Sequence, residues 1–286
     1  MAQSMKDIKR RINSIGSIMQ ITNAMELVSS AKLRKARQKL EQTRPYYQTV
    51  FENINEIISL SRDNKSPLLE KREVKRRAVV VIASDRGLAG GYNINVAKKA
   101  FNLIKDDHEI ENVIYTTGKR SVEVLKKSKH KVNTDFTFIG EDPDSEEAAQ
   151  LGSFLVSQYQ SKKIDEVIIV YTKFNSVLSL EPNIIKLLPA EGFEEKEIKT
   201  YTPIEFEPSA SAVLTQMIKQ YVNVTIYGCL LESAASEQAS RRTAMENATS
   251  NGEELLEDLE LMYNRARQAS ITQEISEIVG GAEALK

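Results

Sequence analysis

Apolar positions in the first sixty residues recur in alternating steps of three and four. The series runs Ile8, Ile12, Ile15, Met19, Thr22, Glu26, Ser29, Leu33, Ala36, Leu40, Thr43, Tyr47, Val50, Ile54, Ile57. That rhythm is a heptad seam, and it predicts one long helix that needs a second to pack against. Thr22, Glu26 and Ser29 are polar interruptions near its middle. Pro45 is expected to kink or locally break the helix, because its ring clashes with the preceding turn. At ~1.5 Å per residue, a helix from Met5 to Leu60 spans roughly 80 Å, wider than any compact domain of this chain length.

The last eighty residues repeat the behaviour. Pro208 and Ser209 mark a helix start. The seam reads Leu214, Met217, Tyr221, Val224, Gly228, Leu231, Ala235, Gln238, Arg242, Met245, Thr249, Gly252, Leu256, Leu259, Tyr263, Ala266, Ser270, Gln273. Continued to Val279, this helix reaches on the order of 100 Å. An isolated helix gains too little from propensity to stand alone, so the two stripes are expected to pair antiparallel, with the middle of the chain inserted at one end. Small and polar seam residues such as Ala235, Gln238, Thr249, Gly252 and Ser270 make the coil only modestly stable by itself. It is suited to a sleeve of other subunits.

Between about Lys75 and Ala190 the period changes. Arg77–Ser84, Ile110–Thr116, Val132–Ile139 and Glu166–Lys173 read as strands, with Ile184–Leu188 a further one. Asn93–Lys105, Lys119–Lys127 and Pro143–Gln160 read as helices. Alternation of this kind predicts a small, mostly parallel sheet with helices on its faces. The expected fold is therefore α/β plus coiled coil: a Rossmann-like domain at 75–190 inserted between terminal helices at 1–60 and 209–286.

Charge sharpens the picture locally. The chain of 286 residues has 39 Lys plus Arg and 40 Asp plus Glu, a net charge of -1. From Met1 to Pro45, however, ten basic residues face only Asp7, Glu26 and Glu41, whereas six basic and eleven acidic residues lie between Ser209 and Lys286. This asymmetry favours association of the two ends and leaves a basic face for an acidic partner. The densest part is Lys32-Leu33-Arg34-Lys35-Ala36-Arg37-Gln38-Lys39. Its charges surround an apolar seam with no interleaved aromatics, which favours an acidic protein surface over nucleic acid, with a solvated face as the bland alternative. Cys229 is the only cysteine, which excludes an internal disulfide and fits a reducing compartment. The charge from Lys6 onward argues against a secretory signal, and apolar runs such as Ala78–Ala83 are too short to span a bilayer.

Catalytic chemistry is hard to place. Ser84-Asp85-Arg86-Gly87-Leu88-Ala89-Gly90-Gly91-Tyr92-Asn93 follows the first strand and opens a helix, where a dinucleotide fold carries its phosphate loop. Its glycines do not give G-x-G-x-x-G, the second strand ends in Thr116-Thr117 without an acidic ribose ligand, and no Lys-Ser or Lys-Thr follows. A structural turn or contact loop is the favoured reading. Gly118-Lys119-Arg120 is a common tripeptide. His108 and His130 are the only histidines and form no ligand set with one cysteine, so neither metal nor cofactor is expected. Two other classes stay open at this point. One is a Rossmann-type nucleotide enzyme with helical arms, and the other a coiled-coil scaffold or nucleic-acid clamp.

The two ends carry a family resemblance. Ile21-Thr22-Asn23-Ala24-Met25-Glu26-Leu27-Val28, followed by Lys32-Leu33-Arg34, resembles the N-terminal helix of the gamma subunits of F-type ATP synthases. Ser236-Glu237-Gln238-Ala239-Ser240-Arg241 and the run from Tyr263 to Ala282 resemble the C-terminal helix of that family. Ser84–Gly91 resembles its loop, with Ala89 where the family often has Cys.

The resemblance implies a non-catalytic central shaft inside a hexamer of alpha and beta subunits, with the epsilon subunit beside the α/β domain and a membrane c-ring beneath. Proton flow turns ring and shaft and drives ATP synthesis, or hydrolysis runs the motion in reverse. It also implies a peripheral location on the cytoplasmic face of the cell membrane, without direct insertion. Carried over by position, Arg241, Arg267, Gln268 and Thr272 contact a catalytic-subunit loop. Met25 meets the acidic hinge loop of beta, and Arg86 adds a contact nearby. The basic residues Lys32, Arg34 and Lys35 face the same acidic zone. Ile204–Phe206 corresponds to the foot on the ring, with the family's aromatic pair reduced to Phe206, and Asn23 stands where the family often has Lys.

Overall fold

Helix α1 runs from Met5 to Leu60 without interruption. Every seam position named above is buried or half-buried along it, and most of the positions between are exposed. Pro45 does not break the helix. It lies on the exposed side, where the carbonyl it leaves without an amide partner meets water. The hydroxyls of Thr43 and Thr49 donate to the carbonyls of Lys39 and Pro45 at 2.8 and 3.0 Å. The computed structural model describes residues 5–60, 66–106, 109–125, 132–193 and 206–284.

The middle folds as β1 (Arg76–Ile82), α2 (Tyr92–Asp106), β2 (Glu111–Thr117), α3 (Lys119–Leu125), β3 (Val132–Asn133), α4 (Ser145–Gln160), β4 (Glu166–Ser176) and β5 (Ser179–Leu188). The sheet order is β3-β2-β1-β4-β5. All pairings are parallel except the β4–β5 hairpin. The last helix, α5, runs from Ala210 to Ala284.

One expected strand is mostly absent. Only Val132 and Asn133 pair with β2, and 134–139 forms turns instead of strand. The Asn133 side chain accepts from the Asp135 amide at 2.8 Å, a local bond that ends the ladder. The turns then tuck Phe136 and Ile139 into the core beside Tyr115 and Phe154. The apolar residues there signalled burial, and the strand reading mistook turn burial for ladder pairing. Helix α4 begins at a capping box between Asp144 and Glu147.

The contacts divide the chain into two compact units that cut across the long helices. Unit 2, from Ser30 to Arg241, holds the sheet with the adjoining parts of α1 and α5. One sheet face packs α2 and α3 through Val79, Val81, Val96, Ala100 and Val170. The other packs α4, α5 and α1 through Val80, Ile169, Leu151, Leu155, Ile218 and Ile54. Unit 1 joins residues 1–29 to 242–286. Its helices run antiparallel, as the facing pairs Glu26–Arg242, Thr22–Thr249 and Met19–Gly252 require. The polar interruptions of the two seams meet there, with the Thr22 and Thr249 hydroxyls 2.7 Å apart. A side chain at Gly252 would stand 2.7 Å from Met19 Cγ, so the glycine permits close helix approach.

Candidate functional site

In an open α/β sheet, ligands bind where the strand order reverses, beyond the carboxyl ends of the strands. Here that point lies between β1 and β4, and within unit 2 it is filled by α5. Strand β4 continues past its last pairing with β1 at Val170. The backbone there turns to α5: the Thr172 amide donates to Ser233 Oγ at 3.3 Å, and Ser236 Oγ donates to the Thr172 carbonyl at 3.2 Å. On the β1 side, Ser240 Oγ donates to the Ala89 carbonyl at 2.7 Å, and Arg241 reaches the Gly87 carbonyl at 3.4 Å. Ser233, Ser236 and Ser240 recur at steps of three and four, so they form a second face of the helix. Ala235 and Ala239 form another, packed on Leu33 of α1.

The loop after β1 is bonded internally. The Asn93 side chain accepts from the Ser84 amide at 3.0 Å and donates to Ser84 Oγ at 2.7 Å. Asp85 accepts from the Lys119 amide at 3.0 Å, so the chain's own carboxylate takes the first amide of α3. Gly118 has a φ of +80° and would place a Cβ 2.2 Å from the Ala83 carbonyl oxygen. That glycine is required by close backbone approach. The loop is a docking turn for α5.

A charged cluster surrounds this junction. Glu237 and Arg241, both on α5, form a buried ion pair at 2.7 Å without hydrogen-bond alignment. Burial pushes the Glu237 carboxyl up to about 7, against the pull of Arg241 and with help from Glu141 and Asp85. Burial likewise raises the Tyr92 hydroxyl, with the Glu237 charge adding to it. Glu141 also bonds Lys32 of α1 and lies 3.7 Å from Arg86. Burial pulls the Glu141 carboxyl up, but Lys32, Arg241 and Arg86 outweigh it and hold the group below the usual carboxylate range. Asp142 accepts from Lys35 at 2.6 Å and Lys39 at 2.5 Å, and these bonds lower its pKa.

Four of the expected contact residues therefore have partners inside unit 2: Lys32, Lys35, Arg86 and Arg241. Arg241 is the most buried of the four. Only 5% of it is exposed, so it acts as a structural tie between α5 and the β1 loop rather than as a free surface cation. Arg34 is exposed. In unit 1, Met25 is half-buried, while Arg267, Gln268 and Thr272 are exposed, with Thr272 Oγ1 donating to the Gln268 carbonyl at 2.9 Å. From Ile271 to Ala282 every α5 residue is exposed, including Ile271, Ile275, Ile278 and Val279. Phe206 is half-buried against the main core. Ile204, His108 and His130 lie outside the described residues. Sequence reasoning missed Glu141, Asp142, Glu237 and the three serines. The serine spacing was a readable signal, but the two carboxylates were not, because they meet the lysines only through the fold.

Among the described residues no group of His, Cys, Asp and Glu could hold a metal, and no helix is long and apolar enough to cross a membrane. A groove of about 510 Å³ lies elsewhere in unit 2, where Arg44, Tyr47, Tyr171, Cys229 and Glu232 line it.

Comparison with known proteins fits this arrangement. The family model described as ATP synthase matches residues 4–285. The ATP synthase gamma chain of Alkaliphilus metalliredigens is 46% identical over all of both chains. The sodium ion specific gamma chain of Acetobacterium woodii is 42% identical, again over all of both. Among solved structures, a chain of the Euglena gracilis mitochondrial ATP synthase (OSCP/F1/c-ring, rotational state 3) shares the fold with a TM-score of 0.67 at 19% identity, covering 98% of this chain and 94% of that one. With its loop bonded to its own last helix and full-length relatives of this kind, the chain belongs to the ATP synthase gamma chain family.

Proposed function

We propose that the chain is the non-catalytic central rotor shaft of an F-type ATP synthase, coupling ion-driven rotation of a membrane c-ring to changes at catalytic beta subunits. The observation that carries this reading is the full-length identity to gamma chains. The exposed apolar end of α5 supports it, because Ile271, Ile275, Ile278 and Val279 are costly to leave in water and suit a socket supplied by other subunits. In this reading Met25, Arg34, Arg267, Gln268 and Thr272 meet the alpha and beta subunits, and Lys32, Lys35 and Arg86 meet them in exchange with their internal partners. Arg241 orients the β1 loop behind that surface. Ile204 and Phe206 belong to the foot on the c-ring, and the epsilon subunit binds beside the α/β domain. The complex sits on the cytoplasmic face of the cell membrane with this chain as a peripheral part. Protons are the expected ion. A relative at 42% identity is named as sodium ion specific, so sodium is the alternative.

The test is reconstitution of the alpha, beta, epsilon and membrane parts into vesicles with and without this chain. ATP-driven ion pumping is expected only when the chain is present. The purified chain alone is expected to hydrolyse no ATP. Coupled pumping without it, or turnover by the clean isolated chain, contradicts the reading.

A further inference from the structure

Lys32, Lys35 and Lys39 stand at steps of three and four, so they share one face of α1. That face is met by two adjacent carboxylates, Glu141 and Asp142, from the segment between β3 and α4. The segment is fixed at both ends. Gly140 lies so close to Asp85 that a Cβ there would be 3.1 Å from Oδ2, and Pro143 is buried. Asp144 is the capping residue of α4. The carboxylates are thus held in place by the backbone, while the lysines that reach them are long and flexible.

The cations remain accessible. The side chains of Lys32, Lys35 and Arg86 are 44%, 62% and 77% exposed, and that of Lys39 is 29% exposed. Glu141 is only 15% exposed and holds Lys32 more firmly, whereas Asp142 is 56% exposed, and exposed ion pairs such as Lys35–Asp142 each contribute little and are weakened by salt. Contacts of this strength exchange readily when another acidic group arrives. The depressed Glu141 and Asp142 carboxyls stay charged down to pH values below the usual carboxylate range, so ordinary pH changes leave the pairs intact.

We propose that the Glu141–Asp142 segment is an internal competitor for the basic face of α1, holding Lys32, Lys35 and Lys39 until an acidic loop of a catalytic subunit displaces it. This rests on the rotor reading above. The segment sets how tightly the shaft is gripped: it subtracts from the attraction between the basic face and the partner, and it keeps the lysines ordered when the partner loop is elsewhere. Grip can then be made and released as the shaft turns, without a deep electrostatic minimum at one angle.

The test compares full-length wild-type chain with the Glu141→Gln/Asp142→Asn variant for binding to the alpha–beta hexamer, at low and high salt. Removing the competitor should tighten binding by roughly threefold to tenfold at low salt, as expected for a few exposed charge pairs. The gain should shrink at high salt. Adding Lys32→Gln, Lys35→Gln and Lys39→Gln should abolish it. Equal binding by wild type and a folded variant overturns the proposal and leaves the rotor reading standing, as does weaker binding by the variant. Failure of both chains to bind overturns the rotor reading and the proposal together. If the double variant melts early, Asp142→Asn alone is measured in the same way, with a smaller gain expected.

Discussion

Between Leu214 and Arg241, α5 buries Ser233, Ser236, Gln238 and the Glu237–Arg241 ion pair. Between Ile271 and Ala282 the same helix exposes three isoleucines and a valine. Composition and burial are inverted between the two stretches. In the first, small and polar residues are inside because α1 and the sheet approach closely, and each serine takes a backbone group left unpaired by a strand end or loop. In the second, apolar residues are outside because no described part of unit 1 covers them. A buried polar face thus reports intramolecular docking, and a bare apolar stripe reports a partner that is another molecule.

Matched substitutions break the comparison most sharply. Ala235 is fully buried beside Leu33, so Ala235→Leu is expected to overpack and destabilise the isolated chain by about 1–3 kcal/mol. Ala269 is exposed, and Ala269→Leu should change stability by no more than about 0.5 kcal/mol. Denaturant unfolding of both variants checks this, and equal effects would erase the distinction. A smaller contrast comes from the serines. Ser236→Ala leaves the buried Thr172 carbonyl without its donor and should cost about 1–2 kcal/mol. Ser276, exposed and bonded only to its own helix at Thr272, should tolerate Ala within about 0.5 kcal/mol.

Much of the architecture was legible before any coordinates. The heptad steps located both long helices and their inward faces, in α5 as far as Ser270, because a seam has one solution once helix period is granted, while the last seam position, Gln273, is exposed. The strand–helix alternation predicted the parallel sheet. Besides the turns at 134–139 and the carboxylates Glu141 and Asp142, three things were not legible. The antiparallel reach of β5 back to Ser179 was read only as Ile184–Leu188, since half-exposed hairpin residues carry no continuous apolar run. The second and third faces of α5 were hidden because a single-seam reading assigns every small residue to one weak stripe. Arg241 carries the resemblance that marked it as a partner contact, but residue type alone does not separate an exposed cation from one buried against Glu237. Its exposure follows from where the β1 loop folds back.

The buried pair also gives α5 a pH signature. The Glu237 carboxyl binds its proton more tightly in the folded chain than its ordinary 4.5, with a value of about 7. Its contribution to stability is therefore full below about 4.5 and lost as the pH rises to about 7. Glu237→Gln should flatten that part of the melting-temperature profile. A profile unchanged by the substitution would remove Glu237 from the account. The smallest expected effect lies at the helix end. Deleting Gly280 to Lys286 should leave the melting temperature of the isolated chain unchanged, since 280–282 is exposed. A clear drop would mean that this end is structural.

The claim that the bare end of α5 is made for another molecule is tested most directly by amide hydrogen exchange over residues 271–284, in the free chain and in the assembled alpha–beta complex. In the free chain these amides should exchange with little protection, since an uncovered helix end gains no tertiary stabilisation. On assembly they should slow by about tenfold or more, while amides of β1 and β4, already protected, should change little. Slow exchange in the free chain, or no slowing on assembly, would contradict the account.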